Sequence, residues 1–116
     1  SPTLSELSDV KTAVSEAVTN CIVHGYRGGE GWIELSCRTE EDVLHIEITD
    51  SGRGIADVEQ ALQPFYTTLP DEERSGMGFT IMQTFMSDFS VISETGKGTT
   101  VRMSKKFGAK AAEDAR

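Results

Sequence analysis

Three short clusters of residues have the types and spacing needed to bind a charged ligand. Glu16 and Asn20 lie four residues apart in a helical pattern, so their side chains are neighbours on one ridge beside the apolar stripe. A carboxylate there can orient a water or a hydroxyl, and a neighbouring amide oxygen can ligate Mg²⁺. Taken alone, the pair is more typical of a solvated helix flank.

The second cluster follows a strand pattern. Asp50 ends this pattern, and Gly52 and Gly54 come directly after it. A buried carboxylate needs a donor, for which an exocyclic amine is well suited, and glycines let the backbone approach a flat base. An Asx turn at the end of a strand accounts for the same residues equally well.

The third cluster is the segment Gly76–Gly78, which precedes a second helical pattern. Free N–H groups at the start of a helix attract anions, and Arg74 and Ser75 lie just upstream, within reach of terminal phosphate oxygens. A flexible loop is the alternative interpretation. A dinucleotide fingerprint is excluded because Ile81 replaces its third glycine, and the sequence around Lys97 lacks the P-loop pattern.

The apolar periodicity predicts the elements that must position these clusters. In order, they are a helix over 4–24, strands over 32–38 and 44–49, a short helix over 57–62, an exposed loop over 63–75, a helix over 79–86, and strands over 89–95 and 99–106. This order predicts an α+β two-layer sandwich, with helices on one face of a mixed, largely antiparallel sheet. Cys21 and Cys37 both fall at apolar positions, which predicts buried free thiols.

Length and composition indicate one globular domain. The chain has 116 residues, of which 37% are hydrophobic and 26% charged, and we predict a domain over 1–107 followed by a frayed tail over 108–116. A net charge of −8 disfavours binding to nucleic acid or to anionic membranes. No membrane span or signal peptide is evident, so the cytoplasm is the expected location. Because the chain begins at Ser1, we expect a fragment of a longer protein.

The clusters occur in a fixed order that is more specific than any one of them. Glu16–Asn20 resembles the N box of the GHKL (Bergerat-fold, histidine-kinase-like) ATPases, Asp50–Gly54 the first glycine box, Gly76–Gly78 the second, and Gly98–Thr100 the final box. The resemblance implies an ATP-binding domain with the Bergerat fold.

The sequence between the boxes resembles the anti-sigma F family of sporulating bacteria, in Ser15–Tyr26, Gln63–Thr68 and Glu73–Met82. This similarity covers about residues 3–106. It implies a serine kinase and anti-sigma factor that inhibits a sporulation sigma factor and phosphorylates a STAS-type anti-anti-sigma protein with ATP and Mg²⁺. Family members form homodimers and carry a strand and a helix before the N box, which we expect to be missing here.

The resemblance also implies a role for each matched residue. Glu16 would be the general base, Asn20 would bind Mg²⁺, and Asp50 would accept the adenine amine. The remaining ATP or ADP contacts would come from Gly52 and Gly54 at the base, Thr99 or Thr100 nearby, Arg74 at the γ-phosphate, and the backbone of Ser75, Gly76, Met77, Gly78 and Phe79 around the phosphates.

Two other functions remain open from the sequence. One is the catalytic domain of a sensor histidine kinase, which would be distinguished by an upstream helix with a phospho-acceptor histidine. The other is a module that binds a sigma factor, including a stress-response sigma factor, without turnover.

Overall fold

A layer of helices covers one face of a four-stranded sheet. This architecture is seen in a computed structural model, which describes residues 2–27, 29–63 and 78–108. The helices are α1 (Leu4–Asn20), α2 (Val58–Ala61) and α3 (Gly78–Phe85), and the strands are β1 (Ile33–Glu40), β2 (Val43–Asp50), β3 (Asp88–Glu94) and β4 (Gly98–Lys106). The predicted α+β class is confirmed.

The first helix has a well-defined start and an unusual end. It begins at a capping box, in which the Thr3 hydroxyl accepts from the Glu6 N–H at 3.1 Å and the Glu6 carboxylate accepts from the Thr3 N–H at 2.8 Å. After α1 the chain continues through a π-helical turn, Cys21–Gly25, closed by a hydrogen bond from the Tyr26 N–H to the Cys21 carbonyl. Single π turns of this kind are frequent at functional sites.

The sheet consists of two hairpins joined through their inner strands. The strand order is β1-β2-β4-β3, and every pairing among the described strands is antiparallel. The register of β2 and β4 places Asp50 opposite Thr99. The predicted end of the second strand and the predicted final box therefore meet at one edge of the sheet.

The core lies between the sheet and the helices. Helix α1 packs against α3, and the small side chains Ala13 and Ala17 on α1 are fully buried. The other buried apolar side chains are Cys21, Ile46, Ile48, Met82, Met86, Val101 and Met103. Among the described residues, the helices are too short or too polar to cross a membrane.

The expected burial of Cys37 is wrong. Its thiol is exposed, and Leu35 on the same side of β1 is 49% exposed. The buried residues of the sheet come from β2 and β4, so the edge strand β1 lies at the margin of the helical layer. Alternation correctly identified the inward face of β1, but the face is not covered along its whole length.

Glu6 connects the start of α1 to the residues after β4, and we predict that it contributes to stability at neutral pH. Its carboxylate accepts from the Thr3 N–H and from the Gly108 N–H at 2.8 Å, and these two hydrogen bonds lower its pKa from the ordinary value of 4.5. A carboxyl whose pKa is lower in the folded state stabilises the fold above its unfolded pKa, and this stability is lost as the pH falls through the folded pKa. Glu6→Gln should therefore lower the melting temperature at pH 7 and flatten the loss of stability in acid.

Thermal unfolding followed by circular dichroism between pH 7 and pH 3 measures this effect. Glu30→Gln, at an exposed loop position, makes the same chemical change as a control. Parallel melting curves for Glu6→Gln and wild type across this pH range would argue against the role of Glu6.

Candidate functional site

A cavity of 390 Å³ opens on the helical side of the sheet, where several of the predicted ligand-binding residues meet. It lies between the end of α1, the segment after β2, helix α2 and the start of α3. The predicted site residues in its lining are Asn20, Asp50, Gly54, Gly78, Phe79 and Thr99. Segments distant in sequence therefore converge on one concave surface, as is usual for small-molecule sites.

Asp50 presents a buried carboxylate to this cavity. The residue is 4% exposed, and its Oδ1 accepts from the Gly52 N–H at 2.8 Å. Burial, together with the nearby charge of this carboxylate, raises the pKa of the Cys21 thiol to about 12. Gly25 lies so close that a Cβ placed there would stand 3.1 Å from Asp50 Oδ1. The carboxylate is thus held by fixed protein groups while it still lines the cavity.

The two glycines after Asp50 are required by the packing of the protein's own backbone. A Cβ at Gly52 would lie 2.2 Å from the Gly25 carbonyl oxygen, which is far inside van der Waals contact. Gly54 has a φ of +76°, and a Cβ there would lie 2.1 Å from the Glu94 carbonyl oxygen. The resemblance implies that these glycines line a base. The structure adds that they let the loop after β2 pack against the π turn and β3.

Glu16 and Asn20 meet the start of α3. Around the position that a Cβ of Gly78 would take, Asn20 Nδ2 lies at 3.2 Å, Asn20 Oδ1 at 3.3 Å and Glu16 Oε2 at 3.4 Å. The ridge of α1 that carries both side chains therefore faces the first residue of the helix after the second glycine box. This places a carboxylate and an amide oxygen together beside the cavity.

The two threonines of the final box face opposite sides of the sheet, because successive residues of a strand alternate. Thr99 lines the cavity, and its hydroxyl lies 2.8 Å from the Ser93 hydroxyl. Thr100 faces the other side, where its hydroxyl lies 3.1 Å from that of Thr49. Of the two predicted threonines, only the side chain of Thr99 is in the cavity.

Four predicted site residues, Arg74, Ser75, Gly76 and Met77, lie outside the described residues. Their roles stay predictions. The predicted exposed loop over 63–75 also stays a prediction, because Gln63 is its one described residue. Residues 109–116 of the predicted tail likewise lie outside the described part of the chain.

A more open depression of 460 Å³ lies on the other face of the sheet, but its charges are already paired. Arg102 Nε lies 2.8 Å from Glu47 Oε2, and Arg38 Nη1 lies 3.3 Å from Glu40 Oε1. Because neighbouring carboxylates neutralise these cations, the cavity beside Asp50 is the stronger candidate for a ligand site.

Comparison with known proteins agrees with this architecture. The family described as the histidine kinase-like ATPase domain matches residues 2–105. The anti-sigma F factor of Thermoanaerobacter sp. (strain X514) is 54% identical over 108 residues, which are 93% of this chain and 76% of that protein. The anti-sigma F factor of Clostridium botulinum (strain Eklund 17B / Type B) is 57% identical over 107 residues, covering 91% of this chain and 75% of its own.

The chain belongs to the anti-sigma F factor family of histidine kinase-like ATPase domains.

A solved structure independently confirms the predicted fold type. The blue-light-activated histidine kinase EL346 of Erythrobacter litoralis superposes with a TM-score of 0.68 at 21% sequence identity. The match covers 95% of this chain and 33% of that protein. At this level of identity the similarity concerns the fold.

In this anti-sigma F family member, the loop after β2 is tied to the π turn by contacts that the sequence did not predict. Arg53 donates from Nε to the His24 carbonyl at 2.8 Å and from its backbone N–H to the Gly25 carbonyl at 3.0 Å. The Tyr26 hydroxyl accepts from the Ser51 N–H at 2.7 Å. These bonds fix the loop that starts at Asp50 against the end of the N-box helix.

Cys21 also lines the cavity of this anti-sigma F family member, and sequence reasoning did not assign it to a ligand. Its apolar spacing correctly predicts burial, and the residue is 3% exposed. The π turn that begins at Cys21 continues α1 on the side of the cavity where Asp50 ends β2, and no local residue pattern marks such a turn.

Proposed function

We propose that this chain is the ATP-binding kinase domain of an anti-sigma factor. It would inhibit a sporulation sigma factor and phosphorylate a STAS-type anti-anti-sigma protein on serine. The observation that carries the proposal is the meeting of Glu16, Asn20 and Gly78 beside the cavity that Asp50 lines. Membership of the anti-sigma F factor family supports the regulatory part, since the similar proteins are named anti-sigma F factors.

Asp50 would select the base of the nucleotide. Its carboxylate is an acceptor, and adenine offers an exocyclic amine as a donor at the position where guanine has a carbonyl oxygen. A charged hydrogen bond in a buried site is among the stronger ones that proteins make. Gly54 and Thr99, which line the same cavity, would lie near the base.

The residues around Gly78 fit a magnesium ion held mainly by phosphates. No group of three or more His, Cys, Asp or Glu side chains in the described segments could hold a metal by itself. Mg²⁺ typically takes one or two protein oxygens and completes its shell with phosphate and water oxygens, and Asn20 Oδ1 is such an oxygen. When bound, the ion would neutralise negative charge on the transferring phosphoryl group.

Glu16 would act on the nucleophile. Its Oε2 lies near the start of α3, where the phosphates of a nucleotide would meet the free N–H groups of the helix. From there the carboxylate can accept the proton of the substrate serine hydroxyl or orient that hydroxyl toward the γ-phosphate. Phosphoryl transfer depends mostly on positioning and charge stabilisation, so this orientation is central to the proposed catalysis.

Other parts of the proposal rest on the resemblance alone. Arg74 would meet the γ-phosphate, and the backbone of Ser75, Gly76, Met77, Gly78 and Phe79 would surround the phosphates. Homodimerisation of the full-length protein and a cytoplasmic location belong to the same proposal. The protein would bind neither nucleic acid nor anionic membranes, because its net charge of −8 would repel their phosphate groups.

The proposed function predicts transfer of phosphate from ATP to serine. Incubation of the chain with ATP, Mg²⁺ and a STAS-type anti-anti-sigma protein should yield acid-stable phosphoserine, detected by mass spectrometry of the substrate. Omission of Mg²⁺ and replacement of the acceptor serine by alanine are the controls. Acid-labile phosphohistidine would instead indicate a sensor histidine kinase domain, and tight sigma binding without turnover would indicate a binding module.

A further inference from the structure

Tyr26 links the loop after β2 to the residues that lead into β1. Its hydroxyl accepts from the Ser51 N–H at 2.7 Å and donates to the Trp32 carbonyl. The ladder between β1 and β2 ends at the pair Ile33 and Asp50. Trp32 and Ser51 are therefore the next residues of the two segments, and the Tyr26 hydroxyl bridges them just beyond the last pair of the ladder.

The Tyr26 side chain is itself held in place. A Cβ at Gly31 would lie 2.3 Å from Tyr26 Cε1 and 2.4 Å from its Cζ, so the ring fills the space beside this glycine. The Tyr26 carbonyl accepts from the Gly29 N–H at 2.8 Å, which closes a turn in the same segment. The hydroxyl is therefore a fixed acceptor for the Ser51 N–H.

This hydrogen bond acts on the backbone that carries the Asp50 carboxylate. The Ser51 nitrogen belongs to the planar peptide bond that follows Asp50, so fixing its N–H restricts rotation of the backbone at Asp50. One residue further on, the Gly52 N–H donates to Asp50 Oδ1 at 2.8 Å. The direction of the carboxylate therefore depends on a segment whose middle residue is held by Tyr26. Because Asp50 lines the cavity, its remaining lone pairs are available to a ligand there.

We infer that Tyr26 is a positioning residue for base recognition, whose hydroxyl holds the Asp50 carboxylate in the direction that accepts the 6-amino group of adenine. This inference rests on the proposed function and deepens it, because it concerns the base that the same site selects. Tyr26 is not among the described residues that line the cavity, so it acts through Ser51 and Asp50 and not by contact with the nucleotide. Its effect is confined to the part of the nucleotide that Asp50 recognises.

The test compares two nucleotides that differ only in this amino group. ADP and purine riboside 5′-diphosphate, which carries a hydrogen in place of the amine, are titrated by calorimetry in the presence of Mg²⁺. Tyr26→Phe removes the hydroxyl and keeps the ring. We expect this variant to bind ADP about threefold to tenfold more weakly than wild type, the effect of losing one neutral hydrogen bond. Its affinity for the analogue should be unchanged.

Thr49→Val is the matched control. It removes a hydroxyl that lies 3.1 Å from the Thr100 hydroxyl on the other face of the sheet, one residue before Asp50. This change should leave the preference for ADP over the analogue unaltered. Gly31→Ala is a second test variant, which keeps the Tyr26 hydroxyl but displaces the ring. It should reduce the preference for ADP as Tyr26→Phe does.

The outcomes separate this inference from the proposed function. If wild type binds neither nucleotide, the proposed function fails and the inference fails with it. If wild type prefers ADP but Tyr26→Phe weakens both nucleotides equally or neither, Tyr26 has only a structural role and the inference alone is overturned. Equal affinities of wild type for the two nucleotides, or the same selective loss in Thr49→Val, would also overturn it. If Tyr26→Phe does not fold, Gly31→Ala decides the question, since an unchanged preference for ADP in that variant contradicts the inference.

Discussion

Replacement of Asp50 by asparagine is expected to weaken ADP binding by about 10-fold to 100-fold, the effect of losing a hydrogen bond to a charged group. The Gly52 N–H donates to Oδ1 at 2.8 Å, so the amide oxygen of an asparagine would keep that position. The amide NH₂ would then face the cavity and the adenine amine, and two donors would meet. The loss should be far smaller for purine riboside 5′-diphosphate, which has no amine to repel.

A matched control for this variant lies in the turn just before the same strand. Asp42 is exposed and precedes β2, whereas Asp50 ends it, so Asp42→Asn makes the same change of charge at the far end of the strand. Titration calorimetry with ADP gives the affinities, and circular dichroism confirms that each variant is folded. A folded Asp50→Asn protein that binds ADP as tightly as wild type would show that Asp50 does not recognise adenine.

The strands that carry the site were predictable because their apolar side chains alternate. Ile46 and Ile48 fix the inward face of β2, and Asp50 follows in the same phase, so its burial against the helices can be derived from the sequence. Val101 and Met103 fix the inward face of β4 in the same manner. This alternation places Thr99 on the inward face and Thr100 on the other. The prediction named Thr99 or Thr100 without choosing between them, although the alternation distinguishes the two.

The ends of the first hairpin were less predictable, for a different reason. The strands continue through polar residues as far as the pair Glu40 and Val43, beyond the predicted boundary at Arg38. Backbone hydrogen bonds extend a hairpin regardless of side-chain polarity, so β1 continues to Glu40 and the turn occupies only the end of the polar segment 39–42. Glu41 lies at the turn and has a φ of 56°. Because glutamate rarely adopts this left-handed conformation, the residue type does not indicate where the chain turns.

The contacts around Asp50 could not be predicted because they depend on the π turn. A regular helix would place the residues after Asn20 at different angles, and the approach of Gly25 to Asp50 follows from the wider turn. Box motifs predict which residues would surround a ligand. They do not specify how Arg53 and Tyr26 hold the loop after Asp50 in place, since these contacts join segments about 25 to 30 residues apart.

Glu16→Ala should strongly slow phosphoryl transfer while nucleotide binding persists. Glu16 is absent from the lining of the cavity that Asp50 faces, and its Oε2 lies instead beside the start of α3. Its removal therefore leaves the base site intact but takes away the group that would orient the serine hydroxyl. General base catalysis typically contributes about 100-fold to 10,000-fold to a rate, and we expect a loss of this order.

Single-turnover formation of phosphoserine measures the chemical step, and calorimetric titration with ADP measures binding separately. Glu34→Gln provides the control, because Glu34 is an exposed glutamate on the face of the sheet away from the helices. Transfer at the full rate by Glu16→Ala would eliminate Glu16 as the general base. A parallel loss of transfer and of ADP affinity would instead assign Glu16 to binding, since a group that acts only on the serine hydroxyl has no reason to change the affinity for a nucleotide product.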